Sequence, residues 1–157
     1  MTMARRNIYE MNYARLEKLL GCPPGEVLPD RCYRFRARAF MDLVVEVLPR
    51  CSHTGATVLS LAHYFEQHGD LCQDPEITVR VFPPGSDGFR ELAPSTDPRH
   101  GRVEALSFQQ AIPAIYEVVY PEPGRYYPNR KRELNSFLAM WLRNLKDQGH
   151  RPVYGDD

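Results

Sequence analysis

Residues 125–146 read RYYPNRKRELNSFLAMWLRNLK, and this stretch does the most to decide the fold. Six large apolar side chains recur in it at helical spacing, namely Leu134, Phe137, Leu138, Trp141, Leu142 and Leu145. The pattern predicts a helix over residues 130–147 that buries this stripe against the rest of the protein. Asn129 is the predicted N-cap, and Gly149 with Pro152 beyond it marks the end of the helix.

Three cations occupy the first turn of this predicted helix, where the helix dipole favours acidic side chains. Tyrosines precede them, and aromatic side chains beside cations are typical of single-stranded nucleic-acid sites. We therefore define a basic corner, a candidate anion-binding site made of Tyr126, Tyr127, Asn129, Arg130, Lys131 and Arg132. The alternative is that the tyrosines pack beside Pro128 while the cations are merely solvated, and the sequence leaves both interpretations open.

The composition is that of a soluble globular protein. The chain has 157 residues, 43% apolar and 25% charged, so we expect one domain over residues 1–157 with a substantial core. Twenty Lys and Arg balance twenty Asp and Glu, which argues against a global attraction to nucleic acid or acidic membranes. The cations are concentrated in residues 1–38 and 125–146. This asymmetry suggests a basic face shared by the two ends.

The sequence also predicts a cytoplasmic location. No apolar stretch follows Arg5 and Arg6 as in a signal peptide, and no run is long enough to span a membrane. The four cysteines have no CxxC spacing, and a chain of this size does not need a disulfide framework. We therefore expect four free thiols and no membrane association.

The remaining periodicities predict an α+β fold. Asn7 and Glu10 form a capping-box pattern at the start of a helix over residues 7–20. Strands are predicted over 32–48, with a bend near Phe40 or a break into two, and over 57–65, 76–82, 102–108 and 115–120. Residues 41–65 then form a hairpin, and residues 83–101 a long, mobile Pro- and Gly-rich loop. We predict an antiparallel sheet of about five strands, covered on one face by the N- and C-terminal helices.

Arg34, Arg36 and Arg38 alternate along the first predicted strand. Strand geometry would place the three guanidinium groups on one face of the sheet, about 7 Å apart. Such a row could bind a phosphate or an acidic partner. The alternative is a solvated edge strand whose charges prevent edge-to-edge pairing.

Two further groups of residues have reactive side chains but weak spacing. His63, His68 and Cys72 could ligate a transition metal, but their spacing matches no standard zinc motif. Cys51 and His53 could act as nucleophile and base, but no orienting group is identifiable. We predict no metal, no cofactor and no catalytic residues.

Several segments resemble a known family. They are 10–16 with Leu19 and Leu20, the hairpin segments 43–46 and 57–59, the strand 77–82, and 127–129 followed by Glu133, Asn135, 137–138 and 141–142. Together they resemble the proteobacterial YqiB-like family, domain of unknown function 1249. The chain departs from that family in the loop 83–101, where the family has a short turn, and at residues 130–132, where the family is longer and more acidic. The resemblance implies a small cytoplasmic bacterial protein and implies no activity.

The absence of a catalytic constellation favours a non-enzymatic binding or adaptor domain for an anionic partner, which could be a protein or a small ligand, with nucleic acid weakly supported. The alternative is an enzyme that acts on a nucleotide-like phosphate, with the arginines as the clamp. A deep pocket with converging His, Cys and Asp side chains would favour the enzyme, and an open basic surface would favour the binding domain.

Overall fold

The computed structural model describes residues 5–154, in which one antiparallel sheet of seven strands packs against two helices. The sheet has the order β6-β5-β4-β3-β2-β1-β7, so the first six strands form a continuous meander. The elements in chain order are α1 (Ile8–Leu20), β1 (Cys32–Arg36), β2 (Leu43–Leu48), β3 (Thr57–Gln67), β4 (Asp70–Phe82), β5 (Arg102–Gln110), β6 (Ile115–Val118), α2 (Pro128–Asp147) and β7 (Arg151–Pro152). The prediction of an α+β fold is confirmed, whereas the number of strands is seven rather than about five.

The main differences from the predicted strands lie in three places. The segment 32–48 forms two strands, β1 and β2, so the predicted break into two is confirmed rather than the bend; the two strands pair across a turn that contains Ala39 at a φ of 68°. β4 begins at Asp70, six residues before its predicted start, because the polar segment 70–73 pairs with the end of β3. The two-residue strand β7 contains Pro152 and is held beside β1 by tertiary contacts that the sequence does not signal.

Both helices begin near their predicted positions. The capping box at Asn7 and Glu10 is present, and α1 begins at the next residue, Ile8. In α2, however, Tyr127 is the N-cap residue and Pro128 is the first helical residue, so the prediction of Asn129 as N-cap is wrong. Proline is favoured at the first helical position because its fixed φ suits a helix and its missing N–H would have had no partner there.

The two helices cover one face of the sheet. The apolar stripe of α2 packs into a core with α1 and with the alternate residues of the central strands that face the helices, such as Leu61, Ile77 and Val79. Trp141 is 7% exposed, which confirms the prediction that it is buried. An Asn135 side chain also accepts a hydrogen bond from the backbone of Ala105, which ties α2 to β5.

The second face of the sheet is partly covered by the loop 83–101. In that loop Leu92 and Ala93 are buried, and the ring of Phe89 lies 6.3 Å from that of Phe82 on β4. The guanidinium group of Arg102 is fully buried and donates hydrogen bonds to the carbonyl groups of Ser86, Gly88 and Ala93. The segment was predicted as a mobile loop; the structure shows it without helix or strand but attached to the sheet.

A buried carboxylate connects the same loop to α1. Glu10 is 1% exposed and accepts hydrogen bonds from the backbone N–H groups of Thr96 and Asp97 and from the hydroxyl of Thr96. His100 Nδ1 lies 3.0 Å from the same carboxylate. Burial alone would raise the pKa of Glu10, but the hydrogen bonds of Asn7, Thr96 and His100 lower it from 4.5 to about 2. Glu10 therefore completes the capping box of α1 and also anchors the loop.

The four cysteines are free, as predicted. Within residues 5–154, no helix is both long and apolar enough to cross a membrane.

Candidate functional site

The basic corner does not present three solvated cations, because Lys131 points inward. Lys131 is 6% exposed, and its Nζ donates to Oε2 of Glu104. The same Nζ lies 4.7 to 5.6 Å from the ring centroids of Tyr126, Tyr120 and Tyr9. Burial lowers the pKa of Lys131, and the charge of Glu104 opposes this change. The interpretation of Lys131 as a surface cation is therefore corrected.

The other members of the basic corner are exposed or half-buried and contact one another. Arg130 donates a hydrogen bond to the carbonyl group of Val118, and its guanidinium group lies 4.9 Å from the ring centroid of Tyr127. Arg132 donates to Oδ1 of Asn129 at 2.7 Å. These contacts use hydrogen-bond donors of Arg130 and Arg132 that an anionic ligand would otherwise bind.

The predicted row of three arginines is also corrected. Arg34 and Arg36 lie on β1, but both form ion pairs with Asp42, at 3.2 and 3.3 Å. Arg38 lies in the turn after β1, because the strand ends at Arg36. Burial alone would raise the pKa of Asp42, but the hydrogen bonds of Arg36 and Arg34 lower it. The carboxylate of Asp42 therefore already binds two of the three arginines that were predicted to bind an anion.

A different basic surface forms where the C-terminal ends of α1 and α2 meet β7. We call it the basic groove, an open cavity of about 720 Å³. Five cations line it, namely Arg15, Lys18, Arg143, Lys146 and Arg151. The apolar residues that line it are Ala14, Leu19, Leu142 and Pro152. The hypothesis of a basic face shared by the two ends of the chain is confirmed for Arg15 and Lys18 with Arg143 and Lys146.

The cations of the basic groove are poorly neutralised. Lys18 contacts Lys146, and this contact with a like-charged partner lowers the pKa of Lys18. Each of these two lysines lies in the last turn of its helix, where the carbonyl end of the dipole favours a cation. The dipoles do not account for Arg143 or Arg151, and Asp147 is the one carboxylate among the described residues that line the groove. The groove thus has an excess of positive charge.

A second concentration of charge is buried between α2 and the strands β4 and β5. We call Arg80, Glu104, Tyr120 and Lys131 the buried charge cluster. Arg80 and Glu104 are paired across β4 and β5, and Arg80 Nε donates to Glu104 Oε1 at 2.6 Å. Tyr120 donates to the other carboxylate oxygen, which also accepts from Lys131. Burial, and next the charge of Glu104, raises the pKa of Tyr120. One carboxylate therefore serves two cations in the interior.

Beside this cluster lies the Cys51 cavity, of about 310 Å³. Its wall includes Cys51 and His53 from the turn between β2 and β3, Arg80 from β4, and Ser107 from β5. Arg80 Nη1 lies 3.7 Å from the Sγ of Cys51. The other terminal nitrogen, Nη2, is buried and has no hydrogen-bond partner among the residues that the structure describes. The Cys51-x-His53 pattern was visible in the sequence, but its partner Arg80 was missed because it occupies an ordinary strand position.

The three remaining candidates for metal ligation serve other contacts or are dispersed. His63 Nδ1 lies 2.9 Å from the carbonyl oxygen of Asp42, and the His63 ring packs against Trp141 and His150. His68 is in the turn between β3 and β4, and Cys72 lies on β4. No group of three or more potential metal-ligating side chains was found within residues 5–154.

Comparison with known proteins identifies one family. A family model described as a domain of unknown function, DUF6908, matches residues 13–151. No curated protein and no solved structure matches the chain. The predicted membership of the YqiB-like family is therefore wrong. The segments behind it, an amphipathic helix, a Val- and Leu-rich hairpin and a Trp-containing helix, are demanded by packing in many α+β domains. The chain belongs to the DUF6908 family.

Proposed function

We propose that this domain binds an acidic segment of a partner protein in the basic groove. The observation that carries the proposal is the lining of the groove, in which five cations surround an apolar floor and face a single carboxylate. Exposed cations of one sign attract a partner of opposite charge and accelerate its association.

The spacing of the cations suits an extended or helical peptide. Arg15 and Lys18 lie one turn apart on α1, and Arg143 and Lys146 lie one turn apart on α2. Side chains at this spacing have Cβ atoms about 5–6 Å apart on the helix surface. Arg15 also donates a hydrogen bond to the carbonyl group of Ala139, which connects the two helices beside the groove. The groove is therefore built on regular elements rather than on a loop.

The floor of the groove favours a peptide over single-stranded nucleic acid. Ala14 and Pro152 offer accessible apolar surface to a peptide side chain, whereas Leu19 and Leu142 are almost fully buried. By contrast, no Phe, Tyr or Trp of the described chain lines the groove, whereas single-strand sites depend on stacking of bases on such rings. In an acidic peptide with apolar side chains, the carboxylates would pair with the cations of the groove and the apolar side chains would pack on its apolar residues.

The test is a titration by fluorescence anisotropy at two ionic strengths. The probe is a short labelled peptide of Asp and Glu residues with two Leu residues, and its Asn/Gln counterpart serves as the uncharged reference. We expect the acidic peptide to bind, and its affinity to fall with salt. The triple variant Lys18→Gln, Arg143→Gln and Lys146→Gln should reduce affinity by about tenfold or more.

A matched control removes the same formal charge from two arginines of the basic corner and from the nearby Arg125. The triple variant Arg125→Gln, Arg130→Gln and Arg132→Gln should change affinity by less than about twofold, because these side chains lie outside the groove. Equal losses in the two triple variants would show that net charge, not the groove, binds the peptide. Tighter binding of single-stranded DNA than of the acidic peptide would also contradict the proposal.

A further inference from the structure

We propose that Cys51 is a site of reversible S-thiolation, at which a small disulfide bearing an anionic group enters the Cys51 cavity and forms a mixed disulfide with Sγ. This site is separate from the basic groove and does not depend on the proposed function.

The first argument is the position of the sulfur. Cys51 is partly buried in the wall of a cavity of about 310 Å³, which is at the small end of the range for small-molecule sites. The turn that carries it is well fixed, since Cys51 N–H donates to the carbonyl group of Ala56 and the N–H of Gly55 donates to that of Cys51. The sulfur is thus held at the wall of a preformed cavity.

The second argument is independent of the thiol and concerns Arg80. Its side chain is 3% exposed, Nε is paired with Glu104, and Nη1 contacts Sγ, but Nη2 has no partner in the described part of the chain. A buried guanidinium nitrogen without an acceptor is costly. Together Arg80 and Lys131 also bring two cations to one buried carboxylate, Glu104. A carboxylate or similar group of a ligand in the cavity would supply the missing acceptor and balance the charge.

The surroundings also favour the thiolate form of Cys51 over that of Cys32. Burial alone would raise the pKa of Cys51, but the hydrogen bonds of Thr54, the backbone of His53 and Arg80 lower it. Cys32 provides the contrast, since burial and the neighbouring carboxylate of Glu46 raise its pKa.

The reaction is an ordinary thiol–disulfide exchange. The thiolate of Cys51 attacks one sulfur of the small disulfide, a new S–S bond forms as the old one breaks, and the leaving sulfur departs as a thiolate. Cys51 is oxidised and the leaving half is reduced, so no other reagent is needed. Attack by a second small thiol reverses the step.

The negative charge of Glu122, which also lines the cavity, is offset by an ion pair. Its carboxylate lies 3.5 Å from the guanidinium group of Arg125.

The test compares two single-cysteine proteins. One retains Cys51 (Cys22→Ala, Cys32→Ser, Cys72→Ser), and the other retains Cys32 (Cys22→Ala, Cys51→Ser, Cys72→Ser). Each is reacted with an anionic aromatic disulfide, dithiobis(nitrobenzoate), and with a neutral one, dithiodipyridine, and the released thiol is followed by absorbance. For each protein we compare the anionic rate with the neutral rate.

We expect this rate ratio to be about tenfold higher or more for Cys51 than for Cys32, because Arg80 attracts the anionic reagent and Glu46 repels it. Glutathione disulfide should likewise form a mixed disulfide at Cys51 faster than the cationic disulfide cystamine, as measured by mass spectrometry. Equal ratios for the two proteins, or faster reaction with cystamine, would overturn the proposal.

Arg80→Lys tests the role of the guanidinium group and should reduce the preference for the anionic reagent. Because Arg80 is buried against Glu104, this variant is used only with an unchanged circular dichroism spectrum and melting temperature. The comparison of Cys51 with Cys32 does not require the variant.

Discussion

The basic groove and the buried charge cluster each contain several cations, but they differ in how these cations are neutralised. In the groove, Lys18, Arg143, Lys146 and Arg151 are exposed, and water screens them. In the cluster, Arg80 and Lys131 are almost fully buried, and each depends on Glu104. Exposed charges can therefore be kept available for a partner at little cost in stability, whereas buried charges must be paired within the fold.

The largest expected effect is at the carboxylate of the buried charge cluster. Glu104→Gln should lower the free energy of unfolding by about 3–5 kcal/mol, because it leaves two buried cations without their counter-charge. The measurement is chemical denaturation at neutral pH. Glu122→Gln is the matched control, since it breaks an exposed ion pair with Arg125 and should cost less than about 1 kcal/mol. Similar losses in both variants would contradict the distinction between buried and exposed charge.

Glu10 tests whether hydrogen bonds can stabilise a buried carboxylate, as the cations of the buried charge cluster stabilise Glu104. Its pKa falls from 4.5 to about 2 on folding, which corresponds to about 3 kcal/mol of stability. Because the folded pKa is the lower one, this contribution is complete above pH 4.5 and is lost as the pH falls from 4.5 towards 2.

Glu10→Gln should therefore lower stability by up to about 3 kcal/mol at neutral pH and flatten the pH dependence in the acidic window. Denaturation curves recorded across that window measure both effects. A variant that kept the steep acid dependence of the unaltered protein would show that other carboxylates cause it.

Buried and exposed cations can also be compared within a single helical turn, that of Arg130, Lys131 and Arg132. Lys131→Gln should cost about 2–3 kcal/mol, because it removes a buried partner of Glu104. Arg130→Gln and Arg132→Gln should each change stability by no more than about 0.5 kcal/mol, as expected for surface positions. Thermal melting of the three single variants measures these differences. Equal losses of stability would mean that Lys131 is exposed to solvent like Arg130 and Arg132.

The smallest expected effect is in the basic groove. Combining Lys18→Gln with Lys146→Gln removes a contact between like charges and also two favourable interactions with helix carbonyl ends. These effects are small at exposed positions and oppose one another, so the melting temperature should hardly move. A large loss of stability would mean that the groove is a structural element rather than a free surface.

Much of the fold followed from periodicity. The apolar stripe on α2, the capping box of α1 and the hairpin of β2 and β3 were predictable because each depends on residues close together in sequence. The two-residue strand β7 was not, because its pairing with β1 depends on a contact between segments far apart in the chain. The polar extension of β4 was missed for a similar reason, since a long hairpin supports it without an apolar face.

The candidate sites divide in the same way. The sequence by itself determined that cations concentrate near both ends of the chain, that α1 and α2 are amphipathic, and that Cys51 and His53 share a turn. Only the tertiary structure decided that Lys131 lies inside while Arg143 and Lys146 face a groove with Lys18. The physical reason is that the state of a charge depends on its distance from other charges and from water, and folding sets both distances by bringing together residues far apart in the chain.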